Sequence, residues 1–336
     1  MNRAPTTVAV IGTGAMAHIY ADALSERQDA QVIGVVGRSP DKTEAFARRY
    51  GVPGYAGGSV GELLRTSAAD AYVLATPEWV RVGPLLDLVA TERPILVEKP
   101  LAASARDAAQ LKALSADARA RITVAHTLRF SPRFSQARHA VVSGAIGDIR
   151  HLSSRRNPSL RSVERVAGKF ELAYWLSCHD IDLMRWIVQA EIDSVYAVTR
   201  HQLASADDYL LAHLHFANGV DALHEVSWCS PPLSDQAPMC RMSIKGTKGL
   251  VEVDDSRTGI DVYQDGSRLT SPDTYEVYPA AEFHYGLFAS LIDRWLRSIT
   301  TGLPAYPSFD EAMRAVDVCT ALMASVASGR PEPVGQ

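Results

Sequence analysis

The run Val8-Ala-Val-Ile-Gly12-Thr-Gly14-Ala-Met-Ala17 constrains this chain more than any other stretch. A short apolar segment ends in Gly12-Thr13-Gly14, and a helix-forming pattern begins at once. Gly12, Gly14 and Ala17 stand at G-x-G-x-x-A spacing. In such a strand–turn–helix the first glycine permits the tight turn. The second lets a pyrophosphate approach the backbone, and the third small residue lets the helix pack on the strand. The helix N-terminus then turns unbonded N–H groups and the positive end of its dipole toward the phosphates. The pattern predicts a dinucleotide site built on Gly12, Thr13, Gly14, Ala15 and Met16. A tight βα turn that binds no nucleotide is the competing reading.

The rest of the first third repeats the same rhythm. Apolar runs at Val8–Ile11, Gln31–Val36, Ala71–Ala75 and Ile95–Val97, with a further candidate at Ile122–Ala125, suit strands buried on both faces. Helical patterns lie between them near Met16–Ser25, Pro40–Tyr50, Val60–Arg65, Gly83–Thr91 and Ser104–Ala118. Alternating strands and helices give a parallel sheet with right-handed crossovers. After Ala125 the rhythm changes. Ile149–Arg155, Ile192–His201 and Tyr209–Phe216 read as strands, Tyr174–Val188 as a helix, and Asn218-Gly219 as a two-residue hairpin turn. A second hairpin joins Cys240–Lys245 to Leu250–Val253, and helices close the chain near Phe283–Thr301 and Ser308–Ser328. The expected fold is α/β. It has an N-terminal Rossmann domain over residues 1–125 and an α+β substrate and oligomerisation domain over 126–336. The sheet of the second domain is open and mostly antiparallel. One face should carry helices, and the other should be free for a second subunit in a homodimer or homotetramer.

Bulk properties exclude several classes. The net charge of −4 gives no basic field for nucleic acid. No apolar leader follows Met1, and no apolar run is long enough to span a bilayer. Cys178, Cys229, Cys240 and Cys319 are scattered without metal-ligand spacing, so no metal is expected and a reducing cytoplasm fits.

Three further segments carry chemistry. Ile95-Leu-Val-Glu98-Lys99-Pro100 ends a buried strand in a lysine, at the end of a parallel strand that faces the ligand crevice. A lysine there can hydrogen-bond a substrate oxygen, or simply extend to water. Cys178-His179-Asp180-Ile-Asp182-Leu-Met-Arg-Trp186 places His179, Asp182 and Trp186 on neighbouring helical turns. Histidine is the usual general base near neutral pH; a structural histidine held by an aspartate is the alternative. Val35-Val36-Gly37-Arg38-Ser39 ends the second strand without the acid that reads a ribose 2′-hydroxyl. Arg38 and Ser39 suit a 2′-phosphate instead, which favours NADP(H) with NAD(H) possible. Arg38 stacked on adenine in an NAD enzyme is the competing reading, and an acid at Gly37 would move preference toward NAD(H). Thr76, Pro77, Glu98 and Lys99 join the glycine loop and Arg38–Ser39 in the expected cofactor-binding set. The stretch from Arg150 to Lys169 holds Arg155, Arg156, Arg161 and Arg165 against the single acid Glu164. It is either a receiver for an anionic substrate group or a solvated loop.

Taken together, the glycine loop, Glu98-Lys99-Pro100 and His179-Asp180-Ile181-Asp182 stand in one order and spacing. The chain resembles the glucose–fructose oxidoreductase/inositol dehydrogenase/MocA family, Gfo/Idh/MocA, over nearly its whole length, with Arg129-Phe-Ser-Pro132 as the link into the second domain. The resemblance implies NAD(P)-dependent hydride transfer at a secondary alcohol or ketone of a sugar, inositol or sugar derivative. It implies that Lys99 contacts the reacting oxygen, that His179 is the acid/base with Asp182 beside it, and that the Lys99–Pro100 peptide is cis. The chain departs from the pattern at Trp175, four residues before His179, where many relatives carry Asp. That puts more of the proton transfer on Lys99, and the indole becomes either a face for a sugar ring or a core anchor. It departs again at Arg81, four residues after Pro77, where relatives often carry His; the sequence assigns Arg81 no role. Rival readings are an enzyme that retains NAD for transient oxidation, as in NAD-dependent glycosidases, an imine or biliverdin-type reductase, and a catalytically silent cofactor-binding regulator.

Overall fold

A computed structural model describes residues 4–158, 171–200, 208–228, 240–254, 259–264, 267–272 and 286–335. The chain divides into two compact units. The first takes the chain up to Ala102, Arg106–Phe130, and a segment from far along the chain that ends at Met313. The second takes Ala103–Ala105, the chain from Ser131 up to that late segment, and the closing stretch from Arg314.

The first unit is a six-stranded sheet of β1 (Thr6–Ile11), β2 (Ala30–Gly37), β3 (Gly54–Ala56), β4 (Ala71–Leu74), β5 (Ile95–Val97) and β6 (Ile122–Val124), in the order β3-β2-β1-β4-β5-β6. Every pairing is parallel. The strands are continuous apolar runs because both faces are covered: Ala71–Leu74 and Ile95–Val97 are buried at every position. The order reverses between β1 and β4, and sheets of this kind bind ligands outside the carboxyl ends of the strands at such a switch point. Helix α1 (Ala15–Ser25) follows β1, and α2 (Pro40–Tyr50) follows β2. Proline opens α2, Arg48 and Arg49 close it, and Gly51 ends it in the left-handed region at φ 65. Then come α3 (Gly61–Thr66) and α4 (Val82–Val89). The single helix expected over 104–118 is two, α5 (Ala105–Lys112) and α6 (Ala116–Ala120), because Ser115 Oγ accepts from Ala118 N and starts a new helix.

One late element completes this unit. The helix Leu287–Thr301 inserts Leu291, Ile292, Trp295 and Leu296 into the same core as Tyr20, Leu24, Val10 and Val73. Each such side chain contributes roughly 1.5–3 kcal/mol when buried. A division at 125/126 would leave this helix in the second unit.

The second unit holds α7 (Pro132–Val142), β7 (Ile149–Arg156), α8 (Cys178–Val188), β8 (Ile192–Arg200), β9 (Tyr209–Phe216), β10 (Asp221–Ser227), β11 (Cys240–Gly246) and β12 (Leu250–Asp254). A separate ribbon pairs β13 (Gly259–Gln264) with β14 (Ser267–Pro272). With the short β15 (Glu332–Pro333), strands β7 to β12 form a sheet in the order β12-β11-β7-β10-β9-β8-β15. Only β7 and β10 pair in parallel; the other pairings in this sheet are antiparallel. Both expected hairpins form. Asn218-Gly219 turns β9 into β10, with Gly219 at φ 81, and Gly246–Gly249 turns β11 into β12. The helix expected over 174–188 is corrected at its start: Ala173–Ser177 is a π-helical turn, and the α-helix begins at Cys178. Such turns recur at functional sites.

Candidate active site

The glycine loop stands at the carboxyl end of β1. Gly12 has φ 125, and a Cβ there would lie 2.4 Å from Ala75 O, so the close approach of β1 and β4 demands glycine. Gly14 is the N-cap of α1, no side chain caps the helix, and nothing lies within 4 Å of where its Cβ would point. Ala17 is fully buried against the sheet. Thr76 follows β4, and its Oγ1 is buried without a hydrogen-bond partner among the described residues. An uncapped helix start, open space at Gly14 and an orphaned hydroxyl fit a dinucleotide pyrophosphate.

Arg38 and Ser39 follow β2. Arg38 is exposed, with no ion pair among the described residues. Ser39 caps α2 through its carbonyl, which accepts Thr43 N at 2.9 Å and Thr43 Oγ1 at 2.7 Å; its hydroxyl does not cap. The first acid is Asp41, inside the first turn of α2. Gly37 cannot take a side chain in place: its Cβ would stand 2.1 Å from Thr43 Oγ1 and 2.6 Å from Thr13 Cγ2. An acid at Gly37 would therefore also displace Thr43 and Thr13, besides any effect on cofactor preference.

Beyond β5, Glu98 is buried. Its Oε1 accepts from Tyr20 Oη at 2.5 Å, and its Oε2 accepts from Lys99 N at 3.0 Å. Burial raises the Glu98 carboxyl above its ordinary range, and Lys99, Tyr20 and Arg81 oppose that rise. Burial, with Glu98 beside it, pushes the Tyr20 phenol far up. The Lys99–Pro100 peptide is cis. Lys99 itself is half-buried.

In the second unit, His179 lies in the first turn of α8, half-buried, and Asp182 is buried one turn on. Trp186 lies under the Arg138 guanidinium, 5.1 Å from the ring centre. Trp175 sits in the π turn, half-buried, its ring centre 5.5 Å from that of Trp228. Ser177 Oγ and Trp228 Nε1 are buried polar atoms without a hydrogen bond among the described residues. The two arginines expected near a substrate anion separate. Arg156 forks onto buried Asp180, Nε to Oδ2 at 2.8 Å and Nη2 to Oδ1 at 2.9 Å. Arg155, one residue earlier, faces the other side of the sheet with Leu223 and Glu225, as strand alternation requires. The structure therefore does not bring them together as an anion receiver. Arg161, Glu164, Arg165, Lys169 and Cys229 lie outside the described residues.

Sequence reasoning missed Tyr20 and the Arg156–Asp180 pair, and left Arg81 unassigned. Tyr20 is separated from Glu98 by 78 residues, so no local pattern announced it. Among the described residues no cluster of His, Cys, Asp and Glu could hold a metal ion, and no helix is long and apolar enough to cross a membrane.

The chain is similar to known proteins over most of its length. Residues 6–126 match the family described as "Oxidoreductase family, NAD-binding Rossmann fold", and residues 134–252 match the GFO/IDH/MocA C-terminal domain. The chain belongs to the Gfo/Idh/MocA oxidoreductase family. It is 26% identical over 329 residues to inositol 2-dehydrogenase of Rhizobium meliloti, covering 96% of this chain and 97% of that one. Among solved structures, GenD2 from gentamicin A biosynthesis, in complex with NAD, superposes with TM-score 0.81 at 23% identity, over 99% of this chain and 97% of that one. Scyllo-inositol dehydrogenase of Lactobacillus casei, with NAD(H) and scyllo-inositol bound, gives TM-score 0.84 at 16% identity, over 99% and 100%. Like other members of its family, the chain is an oxidoreductase with an NAD-binding Rossmann fold.

Proposed function

We propose that this oxidoreductase oxidises a secondary alcohol of a polyol, either an inositol, a sugar or a sugar derivative, with NADP as the preferred cofactor. One observation carries the reading. The uncapped start of α1 at Gly14 and the Lys99 segment held by buried Glu98 stand at carboxyl ends of strands in one parallel sheet. The bound cofactor supplies the hydride acceptor at its nicotinamide ring. The chain supplies the rest. Gly12 to Met16 hold the pyrophosphate through N–H groups, and Thr76 Oγ1, Pro77 and Glu98 line the crevice. Arg38 and Ser39 hold the 2′-phosphate, a choice supported by the unpaired exposure of Arg38 and the lack of an acid before Asp41. Lys99, as the neutral amine, hydrogen-bonds the reacting hydroxyl and accepts its proton. His179, with Asp182 beside it in the sequence, is the second candidate for acid/base work.

The outer face of the second unit's sheet supports self-association. Leu223 is 63% exposed, Leu211 42% and Tyr196 40%, and Arg155, Arg241, Glu225 and Glu252 mix charges of both signs around them. A second copy of the chain suits such a self-complementary patch, and sedimentation velocity reads the state directly. The buried thiols Cys178, Cys240 and Cys319 suit a reducing cytoplasm.

The test is reduction of NADP⁺ and NAD⁺, followed at 340 nm, across a panel of inositols, hexoses and sugar acids. Turnover of at least one polyol, faster with NADP⁺, is expected. No turnover of any panel member by protein that binds either cofactor would overturn the reading.

A further inference from the structure

We propose that Arg81 is a positioning residue for Lys99, tying together the two strand-end segments that border the crevice. The proposal rests on the reading of Lys99 above. Arg81 is 2% exposed and stands between the short turn Glu78–Val80 and α4. Its guanidinium donates through Nη1 to Pro100 O and through Nη2 to Thr76 O at 2.8 Å. Thr76 follows β4 and Pro100 follows β5, and these strands are neighbours, with Leu74 paired to Val97. A rigid planar fork is suited to hold two carbonyl oxygens at a fixed spacing; an ammonium ion is a point donor on a flexible stem.

The result is a backbone held on both sides of Lys99. Its amide donates to Glu98 Oε2, and the carbonyl of the next residue accepts from Arg81. Glu98 is itself fixed by Tyr20. A buried guanidinium is costly without compensation, and here two carbonyls and the nearby Glu98 carboxyl provide it. A backbone held on both sides fixes the Lys99 Cα–Cβ direction from which the stem extends. Displacement of a reacting group by about 1 Å costs on the order of a hundredfold in rate.

The experiment compares wild type, Arg81→Lys, Arg81→Met, Lys99→Ala and the double variant Arg81→Met/Lys99→Ala, using the polyol that wild type turns over fastest. Expected are a fall in kcat of about a hundredfold in both Arg81 variants and cofactor dissociation constants within about threefold of wild type. Hydrogen exchange at the Lys99 amide, bonded to Glu98 Oε2, should be at least about tenfold faster, with amides of β1 unchanged. Because Arg81 acts through Lys99, Arg81→Met should cost less than about threefold further in the Lys99→Ala background. Wild-type kcat in either folded Arg81 variant, an additive loss in the double variant, or exchange accelerated equally through β1 would overturn the proposal. Where Arg81→Met does not fold, Arg81→Lys decides, since it keeps a buried charge beside Glu98. The two readings fail separately. Retained kcat in Lys99→Ala removes the lysine mechanism, whereas collapse of Lys99→Ala with intact Arg81→Lys removes only the positioning role.

Discussion

Replacing Asp180 by Asn removes the buried carboxylate that pairs with Arg156 under the helix that carries His179. The side chains of Asp180 and Arg156 are 0% and 8% exposed, and they share two hydrogen bonds, at 2.8 and 2.9 Å. Cys240 Sγ stands beside the pair, 3.3 Å from Arg156 Nη2. The Asp180→Asn variant would keep the shape and one acceptor but lose the countercharge. Breaking a buried pair from one side costs about 3–5 kcal/mol, mostly the penalty for the charge left behind. At about 2–4 °C per kcal/mol for a domain of this size, the melting temperature should drop by about 6–20 °C. Removing both charges together, as Asp180→Leu with Arg156→Met, should recover stability to within about 1 kcal/mol of wild type or better. Urea unfolding followed by circular dichroism, on wild type, single and double variants, gives the energies. A single variant within about 1 kcal/mol of wild type, or a double variant less stable than the single, would refute the view of this pair as an internal clamp.

Lys99→Ala should lower kcat by about 10²–10⁴ while cofactor binding survives, and His179→Ala should lower it less, since Trp175 replaces the usual acidic partner; steady-state kinetics with fluorescence titration of cofactor checks both. Arg38→Ala should weaken NADP(H) by about tenfold to a hundredfold and leave NAD(H) nearly unchanged, the loss of a charge-assisted hydrogen bond worth about 1.5–3 kcal/mol; equal weakening of both cofactors would mean that Arg38 stacks on adenine. Buried His224, bonded to Ser154 Oγ at 2.7 Å, is pulled by burial from 6.5 down to about 4. The unfolded chain therefore binds a proton that the fold refuses between those values, so this contribution is complete above pH 6.5 and is lost as pH falls toward 4. Over that window the loss reaches about 3 kcal/mol. Urea unfolding at pH 7 and pH 4.5 should show it in wild type and a smaller loss in His224→Phe; equal losses would contradict the assignment.

The elements readable in the sequence were those whose physics is local. The glycine loop, the fully apolar strands Ala71–Leu74 and Ile95–Val97, and the Asn218-Gly219 hairpin all declare themselves within a few residues. What escaped depends on distant partners. Gly54–Ala56 is a three-residue edge strand with no apolar run, and it exists because Val35 to Gly37 pair with it. The amphipathic pattern near Thr301 shows a helix but not which core receives Trp295. The π turn at Ala173–Ser177 keeps an apolar composition that an α-helix would share. The site divides the same way. Gly12 and Arg38 become candidates from motif and position, and Lys99 and His179 from the family resemblance, whereas Tyr20–Glu98, Arg81–Pro100 and Arg156–Asp180 join residues 78, 19 and 24 positions apart. Arg155 and Arg156, adjacent in sequence, part to opposite faces once β7 extends through both.

The central claim is hydride transfer from a carbinol carbon to the nicotinamide of a dinucleotide whose pyrophosphate sits at Gly12–Met16. A panel polyol deuterated at its secondary carbinol carbons, incubated with the protein and NADP⁺, tests it most directly. The reduced cofactor, isolated and examined by proton NMR, should carry one deuterium at nicotinamide C4, and Lys99→Ala should leave it unlabelled over the same interval. A cofactor that binds yet stays oxidised and unlabelled with every polyol, or label that appears equally with Lys99→Ala, would contradict the account.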